Sequence, residues 1–294
     1  MTTTLRPESP ETPVAGGGRT RRWQIRANGR PVGALRTTAT PVGGEHWGAI
    51  SELEVWEGRG RGRATIGALA AEEVLRGWDC TRVDVDIPEG AHAARQLAAT
   101  LGYTERMRNM AKQLTAPPDL PGGVGARPID AEEFPAWLGE ARASHRRQLR
   151  TSGLSEAQAR ARSEAAAPGT LAQGADTPGV VLRRLYAADD SNAPGAAGGA
   201  AQAPTALGSL WVELRRVELP DGHPLAWVMG VEVDESRRGH GHGRTLMLLA
   251  ERECLAAGVH HLGLNVFSGN DPAIRLYTSL GYRVTNRIFG KTLI

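Results

Sequence analysis

Laid on itself with an offset of 179 residues, the 294-residue chain repeats without a gap from residue 59 onward. Arg59 meets Arg238, Gly60 meets Gly239, Gly62 meets Gly241, Glu72 meets Glu251 and Ala94 meets Ala273. Further on, Leu97 meets Leu276, Leu101-Gly102-Tyr103 meets Leu280-Gly281-Tyr282, Arg108 meets Arg287, Lys112 meets Lys291 and Leu114 meets Leu293. A register held that long means two copies of one fold, each running turn, helix, strand, short helix and final strand. The strands are RVDVDI in one copy and LGLNVF in the other. Two domains also suit the length.

The copies begin differently. In the N-terminal one, WQIRANGRPVGALRTTAT reads as two strands joined at Asn28-Gly29, a strong hairpin signal, with a third strand over 49–55. No room remains before Trp23 for the helices that open the second copy. There Ala126-Arg127-Pro128 reads as a first strand, and residues 129–150 as a helix. Asp130 and Glu133 form a capping-box pattern, and Phe134, Trp137, Leu138 and Ala141 an apolar face. A second helix starts at Ser155, with Gln158 at the matching position, and the 151–154 loop between them borders the expected substrate site. The expected organisation is a disordered tail over 1–20, an N-terminal domain over 21–114, a linker over 115–125 and a C-terminal domain over 126–294. The Ala-, Gly- and Pro-rich stretch 191–206 is expected to be a flexible hairpin loop.

The chemistry concentrates in residues 231–253. Val231 and Val233 read as a strand, Arg238, Gly239, His240, Gly241, His242, Gly243 and Arg244 as a sharp turn, and the rest as a helix. Strand, glycine turn and helix cradle a phosphate on the free amides of the helix's first turn, and Arg237 and Arg238 suit phosphate contacts. The turn is neither GxxxxGK[ST] nor GxGxxG; it is Arg-x-x-Gly-x-Gly. That pattern, with the strand LGLNVF and the segment NDPAIRLYTSLGY after it, resembles the acetyl-CoA loop and following elements of the GNAT superfamily of N-acetyltransferases. The resemblance implies two tandem mixed α/β domains, acetyl-CoA as co-substrate, and direct acetyl transfer to a primary amine with no covalent enzyme intermediate.

It further implies a strand bulge within Met229–Val233 whose amides meet the thioester carbonyl, and an acid that protonates the CoA thiolate. Asn270, Ala273, Leu276 and Tyr277 reproduce the family's Asn-x-x-Ala-x-x-Leu-Tyr pattern, which makes Tyr277 the acid and places Asn270 and Ala273 beside the cofactor. Ala91 and Ala98 stand opposite Asn270 and Tyr277 in the first copy, so that copy lacks the chemistry. Its turn, Arg59, Gly60, Arg61, Gly62, Arg63 and Ala64, is either a second CoA loop or a structural repeat. Some relatives place a general base where this chain has Asn265, leaving Glu232 as the nearest acidic candidate, acting through water. Glu54, at the same place in the first copy, argues that Glu232 is instead a structural ion-pair partner; His223 and His145 are the remaining alternatives.

His240 and His242 lack an acidic or Cys partner at metal spacing, so no metal is expected, and Cys80 and Cys254 are assigned to packing. The net charge of +3 is weak evidence for a nucleic-acid partner in a chain whose only lysines are Lys112 and Lys291. No stretch approaches the ~20 apolar residues of a membrane span, and the first residues lack an apolar signal core, so a cytoplasmic monomer with pseudo-dimeric halves is the expectation. The acceptor is a small-molecule or peptide amine. Two other readings keep the fold: a transferase whose donor is carried by a protein or a tRNA, and a non-catalytic CoA-binding module.

Overall fold

The computed structural model describes residues 3–56, 62–165, 171–187 and 206–293. The first half runs β1 (Thr3–Pro7), β2 (Thr12–Val14), β3 (Gly18–Ala27), β4 (Arg30–Val42), β5 (Glu45–Val55), α1 (Arg63–Arg76), β6 (Cys80–Pro88), α2 (His92–Thr100) and β7 (Thr104–Gln113). The second runs β8 (Val124–Pro128), α3 (Phe134–Thr151), α4 (Glu156–Ala165), β9 (Val180–Ala187), β10 (Ala206–Glu218), β11 (Pro224–Val233), α5 (His242–Ala256), β12 (His261–Phe267), α6 (Asp271–Ser279) and β13 (Arg283–Thr292). Moved by 179 residues, α2 and β7 fall on α6 and β13 end to end, as the repeat requires.

The fold is mixed α/β, built on one sheet in the order β1-β3-β4-β5-β6-β13-β7-β12-β11-β10-β9-β8, with β2 on the side of β3. Its centre is an exchange. The last strand of the second half, β13, pairs antiparallel with β6 of the first, and β7 pairs antiparallel with β12. The two exchanged strands then pair with each other, Arg108 opposite Arg287. The contacts across this seam come in matched pairs. Leu114 donates its N–H to the His260 carbonyl at 2.8 Å, and its counterpart Leu293 donates to Thr81 at 2.9 Å. Lys112 of β7 reaches Glu251 of α5 at 2.8 Å, and Lys291 of β13 reaches Glu72 of α1 at 2.8 Å. The chain's two lysines each hold one half to the other.

Helices cover the sheet unequally. Leu246, Leu249, Ala250 and Cys254 of α5 pack with Leu210, Val212, Leu262 and Leu264 in one core, and Ala71 and Leu75 of α1 pack with Ile25, Leu35 and Val83 in another. On the opposite face α3 buries Trp137 against Leu182 and Trp211, with the indole N–H donating to Ser209 Oγ at 3.2 Å. The capping signals hold. Ser155 and Gln158 bond reciprocally at the start of α4, and Asp130 accepts from the amides of Glu132 and Glu133 before α3. Glu133 turns to Arg127 instead of back to Asp130. At the first hairpin Asn28 and Gly29 have φ of 49° and 80°, the two positive angles a tight hairpin turn needs.

One expectation is corrected. Within the expected disordered tail over 1–20, residues 3–7 form β1 along β3, from Thr3 opposite Ala27 to Pro7 opposite Trp23, with Leu5 against the core, and β2 and the start of β3 pair with each other over Thr12–Val14 and Gly18–Thr20. Composition is blind to the open ladder that β3 would otherwise present, and an extended segment with one apolar residue suffices to cover it. Of the expected 191–206 loop, residues 191–205 lie outside the described residues.

Candidate functional site

The site is a parting of two strands. β11 and β12 pair in parallel only from Leu225–Val228 to His261–Leu264. Beyond that, β12 stays with β7 through Phe267, whereas β11 stays with β10. The β11–β10 register skips Met229: Trp211 lies opposite Gly230 and Val212 opposite Val228. This bulge falls at the first residue of the expected segment, and from there to Val233 the β12 side of β11 faces a gap. Alternation does the rest. Val231 and Val233 pack into the core under α5, and Glu232 points to the other face, where Gln148 of α3 donates to its Oε1 at 3.2 Å.

After β11 the chain turns at Asp234, whose side chain accepts from the Ser236 amide, and enters α5 through Gly241 at φ 85°, a left-handed residue a side chain would strain. The first helical bond runs from Thr245 N–H to the Gly241 carbonyl, leaving the amides before it free of intrahelical partners. Arg238 is exposed and paired with Glu235 at 3.2 Å, and His240 stacks on His242 with centroids 6.1 Å apart. The His242 imidazole is held below its ordinary pKa by burial first, then by His240 and Arg237. Arg244 donates to Ser279 Oγ of α6 at 2.6 Å. A Cβ on Gly243 would stand 3.3 Å from Leu276 and 3.8 Å from Val233, so α5, α6 and β11 meet closely there.

Helix α6 delivers Tyr277. Asn270 caps it, its Oδ1 accepting from the Ala273 amide at 3.3 Å, and Ala273 and Ile274 pack on the core. The structure thus gives Asn270 a helix-capping bond, where the family pattern implies a place beside the cofactor. Its counterpart Ala91 makes no such bond. The Tyr277 ring stands edge-on to Tyr282, centroids 6.2 Å apart. Burial first and the Glu232 carboxylate second push the phenol up to about 12. Tyr277 thus packs on the core face of the sheet, and its phenol feels the Glu232 carboxylate, which lies on the other face.

Of the other candidates, His223 falls away from the gap. His223 precedes β11 at the end remote from the gap, nine residues and ~30 Å of strand before Glu232. His145 sits on α3 three residues before Gln148, held below its ordinary pKa by burial and by Arg162. Glu54 does stand where Glu232 stands: Ala34 lies opposite Glu54 beside the pair Gly33–Val55, as Ser209 lies opposite Glu232 beside Gly208–Val233, and Glu54 takes a bond from the Trp56 indole at 3.3 Å. The first copy therefore keeps a carboxylate in register with Glu232 but has no phenol, Ala98 being buried in its core. Of its turn, Arg59, Gly60 and Arg61 lie outside the described residues; Gly62 caps α1 at φ 69°, as Gly241 caps α5, with Arg63 and Ala64 in the first helical turn. Sequence reasoning missed Gln148, which reaches Glu232 across 84 positions from a helix with no spacing relation to β11.

The model of the acetyltransferase (GNAT) family matches residues 176–282, which hold the turn, the gap and α6. A mycothiol acetyltransferase of Thermobispora bispora is 31% identical over 232 residues, covering 76% of this chain and 68% of that protein. This chain belongs to the GNAT family. A mycothiol acetyltransferase of Nocardiopsis dassonvillei is 42% identical over 64 residues, which is 22% of this chain and 19% of that protein. The crystal structure of a GCN5-related N-acetyltransferase from Sphaerobacter thermophilus superposes with a TM-score of 0.58 at 18% identity, covering 92% of this chain and 80% of that one, a likeness of fold. In this GNAT protein both cysteines are buried, Cys80 and Cys254 being raised to about 11 and about 12 by burial first, which suits packing and not nucleophilic attack. Among its described residues, no three His, Cys, Asp or Glu side chains are grouped to hold a metal ion, and no helix is long and apolar enough to cross a membrane.

Proposed function

We propose that this acetyltransferase moves the acetyl group of acetyl-CoA directly to a primary amine, using the gap between β11 and β12. The observation that supports the reading is that the Glu232 carboxylate, bonded by Gln148 on one face, acts on the Tyr277 phenol, which packs on the other. The pyrophosphate rests on the amides of Gly239 to Arg244, with Arg238 at the rim and Val231 and Val233 along the pantetheine arm. The thioester carbonyl meets the β11 amides beside the Met229 bulge, which stabilise the tetrahedral oxyanion. Glu232 takes the amine's proton, directly or through water. Tyr277 gives its own proton to the departing thiolate: a phenol at about 12 stays protonated at neutral pH, and a donated hydrogen bond stabilises the sulfur as charge develops.

The two relatives named for mycothiol make the amine that a mycothiol acetyltransferase acetylates the first acceptor to assay. The first copy, in this reading, keeps an anion cradle at Gly62 and no transfer chemistry. Its domain boundary runs through 115–125, and the exchange of last strands makes a single chain its own pseudo-dimer, which supports a monomeric enzyme.

The test is Tyr277→Phe, assayed by CoA release. Loss of the acid lowers kcat by about 10²- to 10⁴-fold with the KM for acetyl-CoA within about twofold. Full turnover in the variant, or no binding of acetyl-CoA by the parent enzyme, would sink the proposal.

A further inference from the structure

The acceptor side of the gap holds a second feature, at the turn between α3 and α4. An open hollow of about 480 Å³ is lined there by Arg147, Arg150, Thr151 and Leu154. It adjoins Gln148, the residue that bonds Glu232. Of its two arginines, Arg150 pairs with Glu156 at 3.0 Å, and Arg147 has no ion pair among the described residues.

A third arginine arrives from the other half. β7 is bulged at Arg106, where the β13 register passes from Met107 to Glu105. The bulge is symmetric: β13 skips Thr285, the counterpart of Arg106 at the 179-residue offset. The residues are not symmetric. Thr285 turns its hydroxyl to the Asn109 carbonyl within the sheet, whereas Arg106 extends to the α3–α4 turn, its Nη1 3.8 Å from where a Cβ on Gly153 would stand. Its Nε is shut off from solvent and has no hydrogen-bond partner. The carbonyls ending α3 account for arginines on that helix, but not for one sent from another half by a bulge that re-aims a side chain.

We infer that this hollow is an anion subsite of the acceptor, in which Arg106, Arg147 and Arg150 hold a carboxylate or phosphate group of the amine substrate while its nitrogen lies at Glu232. Among the described residues, of the three only Arg150 is ion-paired, to Glu156, and an incoming anion supplies the missing charge with bidentate bonds. The inference rests on the acetyl-transfer reading of Glu232, and it gives the first half a part in choosing the acceptor.

The experiment compares CoA release by the full chain for amines matched except for charge: glucosamine against glucosamine 6-phosphate, and cadaverine against lysine. The expected result is a kcat/KM at least about tenfold higher for an anionic member. The glucosamine pair reads phosphate and the lysine pair carboxylate. Arg106→Gln and Arg147→Gln each lower that preference about tenfold through the acceptor KM, leaving the KM for acetyl-CoA and the neutral amine unchanged, and Arg106→Lys restores part of it. Equal rates for both members of both pairs, or variants that slow neutral and anionic amines alike, overturn the subsite. Independently of turnover, inorganic phosphate added with CoA saturating the glycine turn raises the melting temperature of the parent, and the Arg106→Gln/Arg147→Gln double variant loses that shift. If none of these four amines is acetylated, the titration alone decides the subsite: no shift in the parent refutes it, whereas the transfer reading stands or falls with acetyl-CoA binding and Tyr277→Phe.

Discussion

Lys112→Met removes one partner from a nearly closed ion pair at the seam of the two halves. In the parent, both Glu251 carboxylate oxygens accept from Lys112 Nζ at 2.8 Å, the Glu251 side chain is 3% exposed, and the lysine's is 26% exposed. Methionine keeps the apolar stem and leaves the carboxylate buried without its cation. Breaking a fully buried pair costs roughly 3–5 kcal/mol, and an ammonium a quarter open to solvent puts this one at the lower end, about 3 kcal/mol. Lost attraction between the ammonium and the Tyr282 ring, 5.7 Å away, adds at most about 1 kcal/mol. At ~2 °C per kcal/mol for a chain of this size, the melting temperature falls by about 6 °C. Urea unfolding gives the free energy without screening the pair, and a cycle with Glu251→Leu isolates the interaction. The double variant should recover most of the loss, because an apolar pair in the same volume is nearly neutral. A single-variant cost below about 1 kcal/mol, or strict additivity in the cycle, would refute the reasoning that this pair ties β7 of one half to α5 of the other.

Asn270→Ala removes the cap of α6 that Ala91 lacks in the first copy. A loss of about 1 kcal/mol in urea unfolding is expected, with kcat falling more than the KM for acetyl-CoA as Tyr277 loses its seat; unchanged stability would contradict the capping role. All four tyrosines are raised, each by burial first: Tyr277 to about 12, and Tyr103, Tyr186 and Tyr282 upward. Folded pKa values above the unfolded ~10 mean that the native state keeps its phenol protons longer. The stability these groups contribute is therefore complete below pH ~10 and, for Tyr277, is lost as the pH rises from there through about 12. Absorbance at 295 nm should show little tyrosinate in the native protein at pH 10 and half-ionisation in the unfolded chain; a native phenol titrating at 10 would contradict the burial.

Much of the site was legible because its parts are local. The glycine turn, the capping pattern before α6 and Tyr277 lie within segments whose spacing is set by one strand, one turn or one helix, and at Gly243 the structure brings α5 close to α6 and β11. Glu232 was readable only as the nearest acid, because its company is remote: Gln148 comes from α3, on the far face of the sheet. Arg106 carried no signal, since a bulge is a property of two strands in register and not of either alone.

The sequence by itself determined that there are two copies, the order of helix and strand that they share, and which copy carries the phenol, because a repeated pattern of turn, period and cap dictates the same local structure twice. Only the tertiary structure decided which half each last strand joins. β7 and β13 have nearly the same pattern, so each could satisfy either half's ladder, and alternation cannot tell one edge from the other. The choice lies in long-range terms: the crossed pairs Lys112–Glu251 and Lys291–Glu72, and a sheet in which exchange leaves neither strand at an edge.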